Sequence, residues 1–139
     1  MVEPLGVSAS IVTLVGTAFT IAKTLHDFIK RLRHAPQDLL ALSNEVSELS
    51  LILTSINHAS STSSHTATSQ ALTECLQSAR QDLHDLDAFT KRLVISRTPA
   101  KNCVDRLAWA RHKKEAVALQ SRLRDSRLSL SVLLGASSV

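Results

Sequence analysis

The ingredients of a sheet protein are scarce in this chain. It has no tyrosine, three phenylalanines, one tryptophan, three glycines and three prolines in 139 residues. Strands favour aromatic and β-branched side chains and their turns use Gly and Pro, so this composition points to helices. The two cysteines, Cys75 and Cys103, form no C-x-x-C pair and no disulfide framework. They predict reduced, structurally buried thiols in a cytosolic setting. Gly6 and Gly16 lack the spacing and the Lys-Ser/Thr pair of a phosphate loop, which excludes a nucleotide triphosphatase of that type. H-E-x-x-H and G-x-S-x-G are also missing. The pairs His26–Asp27 and His84–Asp85 have the residue types of a metal phosphohydrolase, but such a site needs further ligands converging in space. The expectation is a protein that is not an enzyme, with no catalytic residues, cofactor, metal or small-molecule substrate.

What the chain does contain is an uncharged N-terminal stretch, Leu5 to Ala22, that runs into Lys23, Lys30, Arg31 and Arg33. Val7, Ile11, Leu14, Ala18, Ile21, Leu25, Phe28 and Leu32 recur at three-four spacing, the seam of a helix packed against partners. A second stripe, Val12, Val15, Phe19 and Ala22, lies beside the first. One bundle helix buries one stripe, so the second predicts deep burial, a partner-helix contact or a membrane surface. Glu3 precedes the apolar stretch and the basic residues follow it, the reverse of a secretory signal. With Ser8, Ser10, Thr13, Thr17 and Thr20 inside it, the stretch is marginal as a constitutive span.

Pro36 biases the residue before it away from helical geometry and suits the first turn of a following helix. Helix two carries Leu39, Leu42, Val46, Leu49, Leu53 and Ile56, with Asp38 in its first turn, where the helix dipole favours an acid. The run from Ala59 to Ser69 is polar and of low complexity, which predicts an exposed, mobile Ser/Thr-rich loop. Helix three follows with Leu72, Leu76, Ala79, Leu83, Leu86, Thr90 and Leu93, and with Arg80, Asp82, Asp85, Lys91 and Arg92 on its outer face. Thr98–Pro99 is a helix start, and Gly135 is expected to end helix four near Leu134. The seam of helix four is Trp109, His112, Ala116, Leu119, Leu123, Ser126, Leu130 and Leu133, polar at His112 and Ser126.

The predicted fold is all-α, an antiparallel four-helix bundle with a long apolar N-terminal helix, because short links return neighbouring helices alongside each other. Residues 1–139 make one domain, with helices at about 7–34, 36–58, 70–95 and 99–134 and a mobile loop at 59–69. Ile11, Leu14, Ile21, Leu25, Leu49, Leu53, Leu83, Leu86, Trp109, Leu119 and Leu123 are the expected core.

The formal net charge of +4 is concentrated in the second half, where nine basic and three acidic residues lie between Arg97 and Arg127. Arg106, Arg111, Lys113 and Lys114 form the expected basic surface of helix four. Such a surface suits an anionic lipid or an acidic partner, and it is also what a solvated helix face looks like. Nucleic acid is not expected, since base stacking needs aromatics and Trp109 is claimed by the core.

The opening Met1-Val2-Glu3-Pro4-Leu5-Gly6-Val7-Ser8-Ala9-Ser10-Ile11-Val12, continued through Gly16, resembles the fungal N-terminal domain found on STAND proteins, which includes the HeLo-like bundles. The run Arg106-Leu107-Ala108-Trp109-Ala110-Arg111-His112-Lys113-Lys114-Glu115, leading to Leu119, Leu123, Leu128 and Leu130, adds to that resemblance. It extends over nearly the whole chain. It implies a signalling bundle of NLR-like receptors in a cell-death or immune-type response, in which helix one of relatives is implicated in membrane damage.

Three functions follow. In the first, oligomerisation frees the Val12, Val15, Phe19, Ala22 stripe to enter an anionic membrane, with Lys23, Lys30, Arg31 and Arg33 at the headgroups. In the second, the stripe is a self-association or partner-protein surface of a passive adaptor and nothing enters lipid. In the third, a catalytically inert regulator of a biosynthetic or transcriptional pathway uses the basic helix four on an acidic partner. A cytoplasmic location, with recruitment to membrane under the first reading, fits all three.

Overall fold

A computed structural model gives the backbone of residues 4–32, 35–62, 70–95 and 106–137, and the side chains of residues 11–32, 35–58, 70–94 and 109–135. These residues form four helices and no strand: α1 (Pro4–Lys30), α2 (Gln37–Thr62), α3 (Gln70–Ile95) and α4 (Arg106–Ser137). The expected start of helix four at Thr98–Pro99, the loop residues 63–69, Arg33 and Cys103 lie outside the described residues, as does the side chain of Arg106.

The helix ends follow local chemistry. α1 begins at Pro4, whose missing N–H is no loss in a first turn. It closes with tighter bonds in which the Arg31 and Leu32 amides donate to the Phe28 and Ile29 carbonyls at 3.2 and 3.0 Å. The Pro36 carbonyl accepts from the amides of Leu39 and Leu40, both at 3.1 Å, which sets the entry into α2. The expected ends shift, and α1 starts at Pro4 and ends at Lys30 instead of at about 7 and 34. α2 runs on to Thr62 instead of yielding a loop at Ala59. Nothing from Ala59 to Thr62 is Gly or Pro, and Ser and Thr each disfavour a helix interior by no more than about 0.7 kcal/mol, so nothing there obliges the helix to stop. α4 likewise passes through Gly135, because a glycine costs a helix only about 1 kcal/mol and breaks it only where the chain must also turn.

Each helix turns its three-four seam inward. Ile11 to Leu32 on α1, Leu39 to Ile56 on α2, Leu72 to Leu93 on α3, and Ala116, Leu119, Leu123 and Leu130 on α4 form one cluster. Trp109 is half-buried and packs on its edge. Phe89, one place from the expected seam residue Thr90, is fully buried and meets the His112 ring edge-on at 5.8 Å. Thr90 is buried too, its hydroxyl donating to the Leu86 carbonyl at 2.8 Å.

α1 packs on α2, α2 on α4, α4 on α3 and α3 on α1, so α1 and α4 face each other across the bundle diagonal, as do α2 and α3. Cross-links give the directions. Arg92 pairs with Glu115 and Asp85 with Arg122, so α3 and α4 are antiparallel. Asp38 pairs with Lys113 and Glu48 with Arg127, so α2 and α4 run the same way. The link from residue 31 to 36 spans at most about 20 Å and cannot return along a helix of about 40 Å, so α2 comes back antiparallel to α1.

Candidate interaction surface

The second stripe of α1 divides. Val12 and Phe19 are 56% and 64% exposed, while Val15 and Ala22 are half-buried against the core. The cause is the helical advance of about 100° per residue. Val12 and Phe19, seven apart, share one line near the solvent side, whereas Val15 and Ala22 share a line rotated about 60° toward the core seam. Between Val12 and Phe19 lies Gly16, where an added Cβ would meet no atom within 4 Å. The helix face is hollow there, a shallow cleft of about 410 Å³ bounded by Val12, Thr13, Thr17 and Thr20, with Asp87 of α3 at its edge. Leu51 of α2 is 68% exposed. Counted from the α1–α2 link, Leu51 falls at the level of Val15 and Gly16. Sequence reasoning did not single it out, although it stands off the three-four seam of α2 and that was the available signal.

Lys23, Lys30 and Arg31 are exposed at the C-terminal end of α1. On α4, Arg111, Lys113 and Lys114 are exposed, with Lys113 3.8 Å from Asp38.

Arg122, Arg124 and Arg127 of α4 are occupied within the fold. Arg122 places its Nε 3.0 Å and Nη2 2.8 Å from Asp82 Oδ1, with Nη2 2.6 Å from Asp85 Oδ2, and the Ser126 hydroxyl donates to Asp82 Oδ2 at 2.7 Å. Arg127 donates from Nε to Glu45 at 3.0 Å and forms an ion pair with Glu48 at 3.1 Å, and Arg124 reaches Glu45 at 3.4 Å. Asp82 and Glu45 are only 4% and 7% exposed. This corrects the expected outer position of Asp82: it flanks the α3 seam on the side facing α4, where Arg122 and Ser126 satisfy its carboxylate and make burial tolerable. The hydrogen bond from Arg122 is the main reason the Asp85 carboxyl lies below its ordinary pKa, and Asp85 in turn raises that of Arg122. Glu45 does the same for Arg127.

The same contacts define a second cleft of about 330 Å³ between α3 and α4, with the half-buried free thiol of Cys75 on its wall and Asp82, Arg122 and Ser126 inside. No histidine borders it, and of its three carboxylates, Glu74, Asp82 and Asp125, the buried Asp82 is paired with Arg122. His26, Asp27 and His84 are exposed, and Asp85 is taken by Arg122 and the Gln81 amide. Among the described residues no three metal-ligating side chains come together. By length and composition, Gln37–His58 of α2 would cross a membrane, but half of it is buried in the bundle, as in any core helix.

A family model described as pigment biosynthesis cluster protein PigL N-terminal matches residues 2–134. The chain belongs to that family. The match takes in both segments that resemble the STAND domains, apart from Met1, and supports the coarser expectation, a fungal-type helical N-terminal domain. No curated protein and no solved structure matches the chain. In this PigL N-terminal domain, then, the exposed apolar line on α1, with Leu51 of α2 exposed at the same level, and the cross-braced α4 are features that go beyond the needs of a core.

Proposed function

We propose that this domain is a non-enzymatic interaction module that docks a protein partner on the outer face of α1 and α2. One observation carries the reading: Val12 and Phe19 stand in solvent on a helix whose other stripe is completely buried. Single exposed apolar residues are ordinary, but two on one line, with Leu51 at the same level, make a patch of the kind partners cover. In a protein of a pigment biosynthesis cluster, such a module would bring together or regulate other proteins of the pathway and perform no chemistry itself.

Membrane engagement through α1, in the manner of cell-death bundles, is the second reading. It is favoured by the exposed Lys23, Lys30 and Arg31 next to an uncharged stretch. Magnitudes favour docking. Freeing α1 would expose Ile11, Leu14, Ala18, Ile21, Leu25, Phe28 and Leu32 at a cost of about 10 kcal/mol or more, comparable to the whole stability of a typical domain. Docking on the packed helix has no such cost.

The test compares the tagged full chain with its Val12→Glu, Phe19→Glu double variant in cells and on phosphatidylserine vesicles. Docking predicts that co-purifying proteins are lost in the variant while melting is unchanged and neither form releases vesicle dye. The same protein set with both forms, an untagged second copy of the chain included, contradicts docking. Dye release by the wild type alone supports the membrane reading.

A further inference from the structure

We infer that the partner seated on the α1–α2 face is a second copy of this chain, related by a two-fold axis that crosses α1 at the level of Val15 and Gly16 and sets the two α1 helices antiparallel. This rests on the docking reading above and names its occupant. The patch is self-complementary about that level. Val12 lies before it and Phe19 after it on one line, so an in-plane two-fold places Val12 of each copy on Phe19 of the other. Leu51 falls near the axis and meets its own counterpart. Gly16, with open space above it, lets the helix backbones approach closely where the axes cross.

Charge selects the orientation. The described α1 residues from Ile11 to Ala22 are uncharged, so two copies meet there without like-charge opposition. Antiparallel packing carries Lys23, Lys30 and Arg31 of the two copies to opposite ends, and it opposes the helix dipoles. A parallel pair would stack these cations against their equivalents. The area is adequate. Two adjacent helices about 40 Å long present a face about 20 Å wide, or about 800 Å², the amount each partner of a stable dimer contributes.

Sedimentation velocity with light scattering on the full chain, between roughly 10 and 200 μM, tests the dimer. The wild type is expected to pass from monomer to dimer across this range. Phe19→Glu and Gly16→Leu should each weaken dimerisation by at least about tenfold while helical content holds. Gly16→Leu is the sharper variant, because the position is open in the monomer: its melting temperature should rise in dilute solution even as the dimer is lost. Val132→Glu, on α4 across the diagonal from α1, should leave dimerisation unchanged. A wild type that stays monomeric throughout overturns the proposal. If the Val12→Glu, Phe19→Glu chain nevertheless loses its co-purifying proteins, the docking reading stands and only its occupant is wrong. A dimer that persists in Phe19→Glu overturns the choice of face.

Orientation is read separately, from a spin label at Lys30→Cys in a Cys75→Ser, Cys103→Ser chain. The antiparallel pair predicts a separation of about 45 Å. A separation of about 10 to 15 Å, that of two helices side by side in parallel, overturns the arrangement.

Discussion

At the scale of single residues, the molecule separates positions that hold the fold from positions that face outward. Phe89 is fully buried, and Phe89→Ala is expected to cost about 3–5 kcal/mol in chemical denaturation. Phe19→Ser, at an exposed position, should change monomer stability by less than about 0.5 kcal/mol in the same experiment. Ser126→Ala removes one donor from the buried Asp82 and should cost about 1–2 kcal/mol. Asp85 gives a pH signature. Its folded-state pKa lies below the ordinary 3.8, so its contribution is complete above about pH 4 and is lost as pH falls through the depressed folded value. The acid limb of stability against pH is therefore expected to be shallower in Asp85→Asn, and identical limbs would refute the role given to the Arg122 pair. None of this carboxylate chemistry was legible in the sequence. Asp82 read as a solvated charge and Glu45 drew no reading, because their partners, Arg122, Ser126, Arg124 and Arg127, lie on another helix far along the chain. Phe89 was passed over because Leu86 can be continued to either 89 or 90 on a three-four rhythm, and both are buried.

At the scale of elements, periodicity carried the reading well and terminators carried it poorly. The seams of α1 and α2 stand out because each is an unbroken series of large apolar residues at the one spacing that lines a helix face. Ends depend on smaller energies. Ser and Thr from Ala59 to Thr62 and the lone Gly135 each disfavour helix by no more than about 1 kcal/mol, so α2 and α4 continue through them. The corollary is testable at the two helical glycines. Neither Gly16 nor Gly135 has an atom within 4 Å of an added Cβ, so Gly16→Ala and Gly135→Ala should each stabilise the monomer by about 0.5–1 kcal/mol in thermal or urea unfolding. Destabilisation at either site would mean that the open space is filled in solution. The spare stripe of α1 was legible as a stripe, but its division into an outward line and a core-leaning line required knowing where α2 sits.

At the scale of the whole molecule, the decisive feature is the arrangement of helices around the core. Short links argued for antiparallel neighbours, and this holds for α1 with α2 and for α3 with α4. The side-by-side, same-direction packing of α2 and α4 has no local signal, since it is set by which seams and which charges meet across the bundle. That arrangement leaves α1 and α2 with a common outer face away from the arginine-braced α4, so a partner can cover the face without disturbing the core. The central claim is that α1 works while packed. Hydrogen exchange of α1 amides, followed from dilute to concentrated protein and with phosphatidylserine vesicles, tests this directly. The account predicts that Ile11 to Phe28 stay as protected as α2 and α3 in every condition. Selective loss of α1 protection on association or on vesicles would contradict it and return α1 to the role of a released helix.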